Sequence, residues 1–544
     1  MSSASTSLLD HLRGRNGTLE GIKNILLAYT VYKYGKYALA YIRVKGVQGA
    51  IVALFKQLLQ ISITIARRFV PGANAAVASQ IEKNVTSLQK KLMGDVPDHL
   101  KQHALPLKGL PASAVVTELK RLKATEHVDW KAGKISGAVY HGGEDVNKLV
   151  TEAFGMFTVA NPLHPELFPG VRQMEAEVVS MLLRMYNAPD SACGSMTSGG
   201  TESLLMAIKT YRDMARELRG VTEPELIAPV TVHTAVDKGA AYFGIKLIHI
   251  PVDPATGQVN MAKVANAING NTVMIVGSAP NYPHGIVDPI PELSALAVKY
   301  KIPLHVDACL GGFIVPFAEK AGFPLPFHVD FRVEGVTSIS ADTHKYGFAP
   351  KGSSVIMYRS KEIRNYQYFI TTEWPGGVYC SPTIAGSRPG ALVAGCWAAM
   401  MHFGESGYVE TTRQILTAAR SIADGIKSIE QLQVIGQPKL SVVAFNSKSP
   451  KVKIYAVADI LDKRGWHLNV LQNPPAIHIA CTYLNVRASK VLLTDLKEAI
   501  AMLLKDPSCG NGDVAAIYGT MASVPDRTVI SDVCRGFLDA LTMM

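Results

Sequence analysis

The chain has 544 residues, too long for one compact core and suited to two or three packed units. Hydrophobic residues make up 48% and charged residues 18%, which excludes a largely disordered protein. The formal charge of +11 is confined to residues 1–150, with 21 Lys and Arg against 10 Asp and Glu. That points to an anionic membrane surface near the N-terminus and away from a nucleic-acid groove across the protein, although a solvated basic helix fits the same charge. Seven scattered cysteines with no CxxC pair give neither a disulfide framework nor a metal site.

Residues 1–70 read as an anchor region. Val47–Ala66 is 20 residues long, enough to cross a hydrocarbon core. Lys56, Gln57, Gln60 and Thr64 recur at spacings of three and four and so share one helix face. A spanning helix and an in-plane amphipathic helix both fit. Arg67 and Arg68 then favour a cytosolic C-terminal side. Residues 71–135 read as a helical segment with loops.

From 136 to 404, short apolar strands alternate with helical patterns. The strands are expected at Val230–His233, Leu247–Ile250, Val273–Val276, Pro303–Asp307 and Ser354–Tyr358, and the helices at Arg172–Tyr186, Glu202–Leu218 and Ile290–Lys299. This alternation predicts an α/β domain with a mainly parallel sheet. Residues 405–544 read as a smaller α+β domain, with Ser441–Phe445, Tyr455–Arg464 and Ala476–Ala480 as its elements.

The strongest chemical signal is Ser340-Ala341-Asp342-Thr343-His344-Lys345-Tyr346-Gly347. A lysine amine attacks an aldehyde well when burial or neighbouring charge lowers its pKa. Lys345 is expected on a turn at a strand end. Asp307 ends an apolar run, where α/β sheets meet their ligands. A buried carboxylate needs a cation. The protonated ring nitrogen of pyridoxal 5'-phosphate would be one, and a salt bridge or a helix cap also suits it. Gly199, Gly200 and Thr201 open a helix whose free N–H groups and dipole favour a phosphate, although many Gly-Gly turns only start helices. His233, placed at a strand end, could stack on a ring or be a core histidine.

In this order, Gly-Gly-Thr-Glu, His, Asp-Ala and Thr-His-Lys resemble the fold-type I (aspartate aminotransferase-like) pyridoxal phosphate enzymes, in the group II decarboxylase branch. Ser340–Ser354, Thr383–Gly390, Ala279–Gly285 and Asn161–Gly170 are similar to the sphingosine-1-phosphate lyase family, with motifs spread from about residue 100 to the C-terminus. The resemblance implies Lys345 as the Schiff-base lysine, Asp307 as partner of the ring nitrogen and His233 as the stacking residue. It implies Gly199, Gly200, Thr201 and His344 at the cofactor phosphate. Gly386, Ser387 and Arg388 would reach the active site of the other subunit of a homodimer. Tyr140, Asn161, His164 and Lys351 would contact the substrate phosphate or assist proton transfer, although a packing role suits Tyr140 equally.

The activity so implied is retro-aldol cleavage of the Cα–Cβ bond of a phosphorylated sphingoid base, giving a long-chain aldehyde and phosphoethanolamine. The implied location is the endoplasmic reticulum membrane, with the catalytic part facing the cytosol. An amino-acid decarboxylase of the same fold and an inactive membrane-attached scaffold stand as alternatives.

Overall fold

The computed structural model describes residues 101–126, 128–510, 512 and 527–543, with helical positions between 23 and 89. Lys56, Gln60, Thr64 and Ala66 of the expected anchor lie outside the described residues. Among the described residues, no helix is long and apolar enough to cross a membrane.

Seven strands form the central sheet: β1 (Cys193–Thr197), β2 (Glu225–Pro229), β3 (Lys246–Ile250), β4 (Thr272–Ser278), β5 (Leu304–Asp307), β6 (Val336–Ala341) and β7 (Ser354–Tyr358). Their order is β1-β7-β6-β5-β4-β2-β3. The run from β6 to β3 is parallel, whereas β7 runs antiparallel to both its neighbours. The sheet is thus mainly parallel, as expected.

Side chains along a strand alternate between faces, so each strand feeds two cores. Ile275, Val306, Ile339 and Met357 pack on one face with α1 (Pro169–Met185) through Val178 and Leu182. Leu226, Met274, Val276 and Ile356 pack on the other with α2 (Gly200–Arg219) through Leu204, Ile208 and Tyr211. A buried polar row interrupts that second face. His305 Nδ1 lies 2.7 Å from Ser338 Oγ, and its Nε2 lies 3.1 Å from Ser340 Oγ. Burial pushes His305 down to about 4, against the opposing pull of Asp307. Two residues further along β5, Asp307 shares this face.

Two sequence expectations move. The stretch Val230–His233 is a turn beyond β2, which ends at Pro229; Val230 is exposed and returns only as a backbone donor to Ile250. Strand β1 was not expected, and β6 was expected only as a strand end before Lys345, without bounds. Their sequences, CGSMT and VTSISA, are rich in small polar residues that only sheet burial explains.

Beyond β7, β8 (Phe369–Thr371) and β9 (Tyr379–Ser381) form a hairpin with exposed Phe369, Ile370, Trp374 and Val378. Helix α3 (Gly390–Lys427) bends at Gly404 and leads to a four-stranded antiparallel sheet. That sheet comprises β10 (Leu432–Val434), β11 (Val442–Ser447), β12 (Asn469–Leu471) and β13 (Ala476–Ala480), with helices α4 (Ile454–Lys463) and α5 (Asn485–Lys505) alongside. Its backbone reaches the site: Tyr483 N–H donates to the Tyr140 carbonyl and Tyr346 hydroxyl to the Cys481 carbonyl.

Candidate active site

Parallel strands deliver their last residues to one edge, and here a cavity of about 330 Å³ lies beyond β5 and β6. Ser198–Glu202, His233, Asp307, Cys309, Asp342, His344 and Lys345 are among its lining residues. The stretches 199–201, 307 and 344–345 singled out in the sequence therefore meet in space.

The cradle is the start of α2. Gly199 adopts φ +154°, a conformation that glycine alone takes readily. A Cβ at Gly200 would lie 2.7 Å from Cys309 Sγ and 2.8 Å from Asp342 Oδ1, so close packing also requires glycine there. Glu202 reaches back to accept from the Ser198 N–H at 2.6 Å, as helix-start glutamates do. Its other oxygen accepts from the Ile384 N–H at 3.1 Å, tying the cradle to the segment after β9.

Asp307 is buried and accepts from the Cys309 N–H at 3.0 Å and from Ser340 Oγ at 3.4 Å. His233 Nδ1 accepts from the Ala235 N–H at 3.1 Å, which orients the ring in the turn. Its edge meets the Tyr282 ring at 6.2 Å. His344 Nδ1 lies 2.6 Å from the Ser353 carbonyl oxygen, and burial lowers this imidazole in spite of nearby Asp342.

Lys345 lies on the turn after β6, as expected. Its Nζ is 2.8 Å from Asp342 Oδ2. Burial is the largest influence and would lower the Lys345 ammonium, but the charges of Asp342, Cys309 and Tyr140 and the hydrogen bond to Asp342 together raise the pKa overall. Asp342 is lowered in turn: burial opposes its charge, and Lys345, His344 and Ser354 together more than compensate. Asp342, which stands three places before Lys345 in the same motif, was not singled out in the sequence. Glu202 and Tyr282 were also missed.

Two further candidates adjoin the lysine without lining the cavity. Tyr140 is buried and pushed up to about 12, chiefly by burial. Lys351 Nζ stands 4.5 Å over the Tyr140 ring, and burial with repulsion from Lys345 lowers it to about 8.

Another group forms a separate cluster. Asn161 Nδ2 donates to Ser387 Oγ at 3.1 Å, while its Oδ1 accepts from the Arg388 N–H at 3.0 Å. The Arg388 guanidinium pairs with Glu175, and His164 Nδ1 lies 3.6 Å from Glu166. Asn161, His164, Gly386, Ser387 and Arg388 do not line the cavity of their own chain.

The residues present fit a phosphorylated pyridine aldehyde. The N-terminus of α2 suits its phosphate, the Asp307 carboxylate a protonated ring nitrogen, His233 a ring face and Lys345 the aldehyde. The model of the pyridoxal-dependent decarboxylase conserved domain matches residues 97–448, so the chain is a pyridoxal 5'-phosphate-dependent protein of decarboxylase fold.

Within that class, the chain is 46% identical to sphingosine-1-phosphate lyase 1 of Rattus norvegicus, over 86% of this chain and 82% of the relative. It is 49% identical to the Saccharomyces cerevisiae lyase, over 87% and 80%. The solved sphingosine-1-phosphate lyase of Burkholderia pseudomallei superposes with a TM-score of 0.72 at 39% identity, covering 78% of this chain and 96% of that one. The chain belongs to the sphingosine-1-phosphate lyase family.

Proposed function

We propose that the protein cleaves the Cα–Cβ bond of a phosphorylated sphingoid base, yielding a long-chain aldehyde and phosphoethanolamine. The observation that carries this reading is the meeting of Lys345, Asp307, His233 and the Gly199–Thr201 cradle around one cavity, in a chain so similar to lyases of that name. When bound, the cofactor supplies an electron sink for the breaking bond.

The chain's own residues do the rest. Lys345 would hold the cofactor through its aldehyde. Asp307 keeps the ring nitrogen protonated, and His233 packs on the ring. The N–H groups of Gly199, Gly200 and Thr201, with His344, hold the cofactor phosphate. Lys351, with an ammonium lowered to about 8, pairs with the substrate phosphate or moves a proton, and Tyr140 lies beside it.

Asn161, His164 and Gly386–Arg388 serve the site of a second subunit in a homodimer. Their separation from their own cavity supports this reading, as do the exposed apolar residues of the β8–β9 hairpin. The N-terminal region attaches the protein to a membrane, the endoplasmic reticulum in this reading, with catalysis on the cytosolic side. Exposed apolar side chains such as Leu26, Tyr29, Ile51, Phe55 and Leu58 support attachment. Residues 136–404 and 405–544 act as the cofactor-binding and smaller domains, preceded by 1–70 and 71–135.

Product analysis tests the function. Purified protein given a phosphorylated sphingoid base should release aldehyde and phosphoethanolamine in equal amounts. Carbon dioxide released from an amino acid, with no aldehyde from the lipid, would replace this reading with a decarboxylase.

A further inference from the structure

We propose that Asp342 is a positioning residue: it holds Lys345 as a free ammonium and thereby sets how readily the cofactor leaves the lysine for an incoming amine. The proposal rests on the reading of Lys345 as the cofactor's attachment point.

Asp342 directly follows β6, and its side chain is only 2% exposed. One oxygen lies 2.8 Å from Lys345 Nζ. The other is buried and has no hydrogen-bond partner among the described residues. A Cβ on Gly200 would almost touch both oxygens, so this carboxylate stands at the foot of the cradle. An acid there opposes a phosphate, and a buried carboxylate without a partner costs several kcal/mol. Its placement is intelligible only through a cation. Lys345 is the near one; His344 Nε2 is farther, at 3.7 Å.

The chemistry balances as follows. In capture, the Lys345 ammonium first gives one proton to solvent. Its nitrogen then forms a C=N bond to the aldehyde carbon, and the carbonyl oxygen leaves as water with the two remaining N–H hydrogens. In exchange, an incoming ammonium takes over that C=N bond and its three hydrogens end on Lys345. No net charge is created, and the Lys345 ammonium returns to Asp342. Pairing with Asp342 therefore disfavours capture and favours exchange. The other groups facing Lys345 are His344 on the same turn, Cys309 after β5, Tyr140 from the segment before residue 144, and Lys351 from the loop before β7. Among these, Asp342 exerts the largest charge effect on Lys345, in the direction of the ammonium.

The test uses the full chain stripped of cofactor and the Asp342→Asn variant. Absorbance follows capture of added pyridoxal 5'-phosphate against pH, and then release from the loaded protein by methylamine. The substitution should move the capture half-point down by about 1–3 pH units. It should also raise the methylamine needed for half-release by about tenfold per unit of that shift. Should the variant not fold, the wild type still decides: capture should keep accelerating with pH to about 9 and beyond, and a plateau already reached at neutrality overturns the proposal. Borohydride reduction separates the two ideas. Label on another lysine overturns the attachment reading and this proposal together. Label on Lys345 with matching profiles in both proteins overturns the proposal alone.

Discussion

Two buried carboxylates, Asp307 and Asp342, share the floor of one cavity, and each needs a cation. Asp342 has Lys345 at 2.8 Å. Among the described residues, Asp307 accepts from the Cys309 N–H and Ser340 Oγ, and burial lowers His305 beside it. Asp307 is thus the carboxylate left for a cationic ring nitrogen. Asp307→Asn should lower turnover by about 10²- to 10³-fold, the size of losing one preorganised electrostatic partner. Its melting temperature should change little; near-normal turnover would make Asp307 structural. Lys351 offers a pH signature. Its pKa is lowered to about 8, so the ammonium is present below that pH and lost above it. If it pairs with the substrate phosphate, KM should rise as pH passes through about 8, and Lys351→Gln should flatten the rise. A profile that is equally steep in the variant would remove Lys351 from phosphate binding.

If the start of helix α2 cradles a phosphate, it can do so because its first residue is small. The Cβ that Gly200→Ala adds would press on Cys309 Sγ and Asp342 Oδ1. Overpacking of that kind costs about 1–3 kcal/mol, so cofactor affinity should fall by about 5- to 150-fold if the cost is borne by the bound state. Unchanged affinity, measured by dialysis, would show that the cradle is looser than its geometry. The strands β4, β5 and β7 were legible because their apolar runs are buried on both faces. Strand β1 was not, and β6 was legible only as a strand end before Lys345, because CGSMT and VTSISA carry small polar residues satisfied across the sheet, as Ser338 and Ser340 are by His305. The motif lysine, aspartate and glycines were likewise legible from local spacing. The Lys345–Asp342 pair was not, because the sequence shows proximity without direction. Glu202 was hidden for a similar reason: its second partner, Ile384, lies far along the chain.

At the scale of the whole molecule, Gly386–Arg388 lie away from their own cavity, held by Asn161 and Glu175. If they complete a second subunit's site, mixing inactive Lys345→Ala and inactive Arg388→Ala chains should restore about a quarter of wild-type activity per dimer at random pairing. No recovery despite proven subunit exchange would end the shared-site reading. The N-terminal region should separate from catalysis. A chain beginning near Pro71 should stay active on a detergent-dispersed substrate, whereas the full chain should sediment with membranes. A full chain found wholly in the soluble fraction at low salt would contradict membrane attachment. Everything above depends on where the cofactor is bonded, and the most direct measurement is borohydride reduction of the loaded protein followed by peptide mapping. The label should fall on Lys345, and substrate added beforehand should diminish it. Label on any other lysine, or undiminished label in Lys345→Ala, would contradict the site.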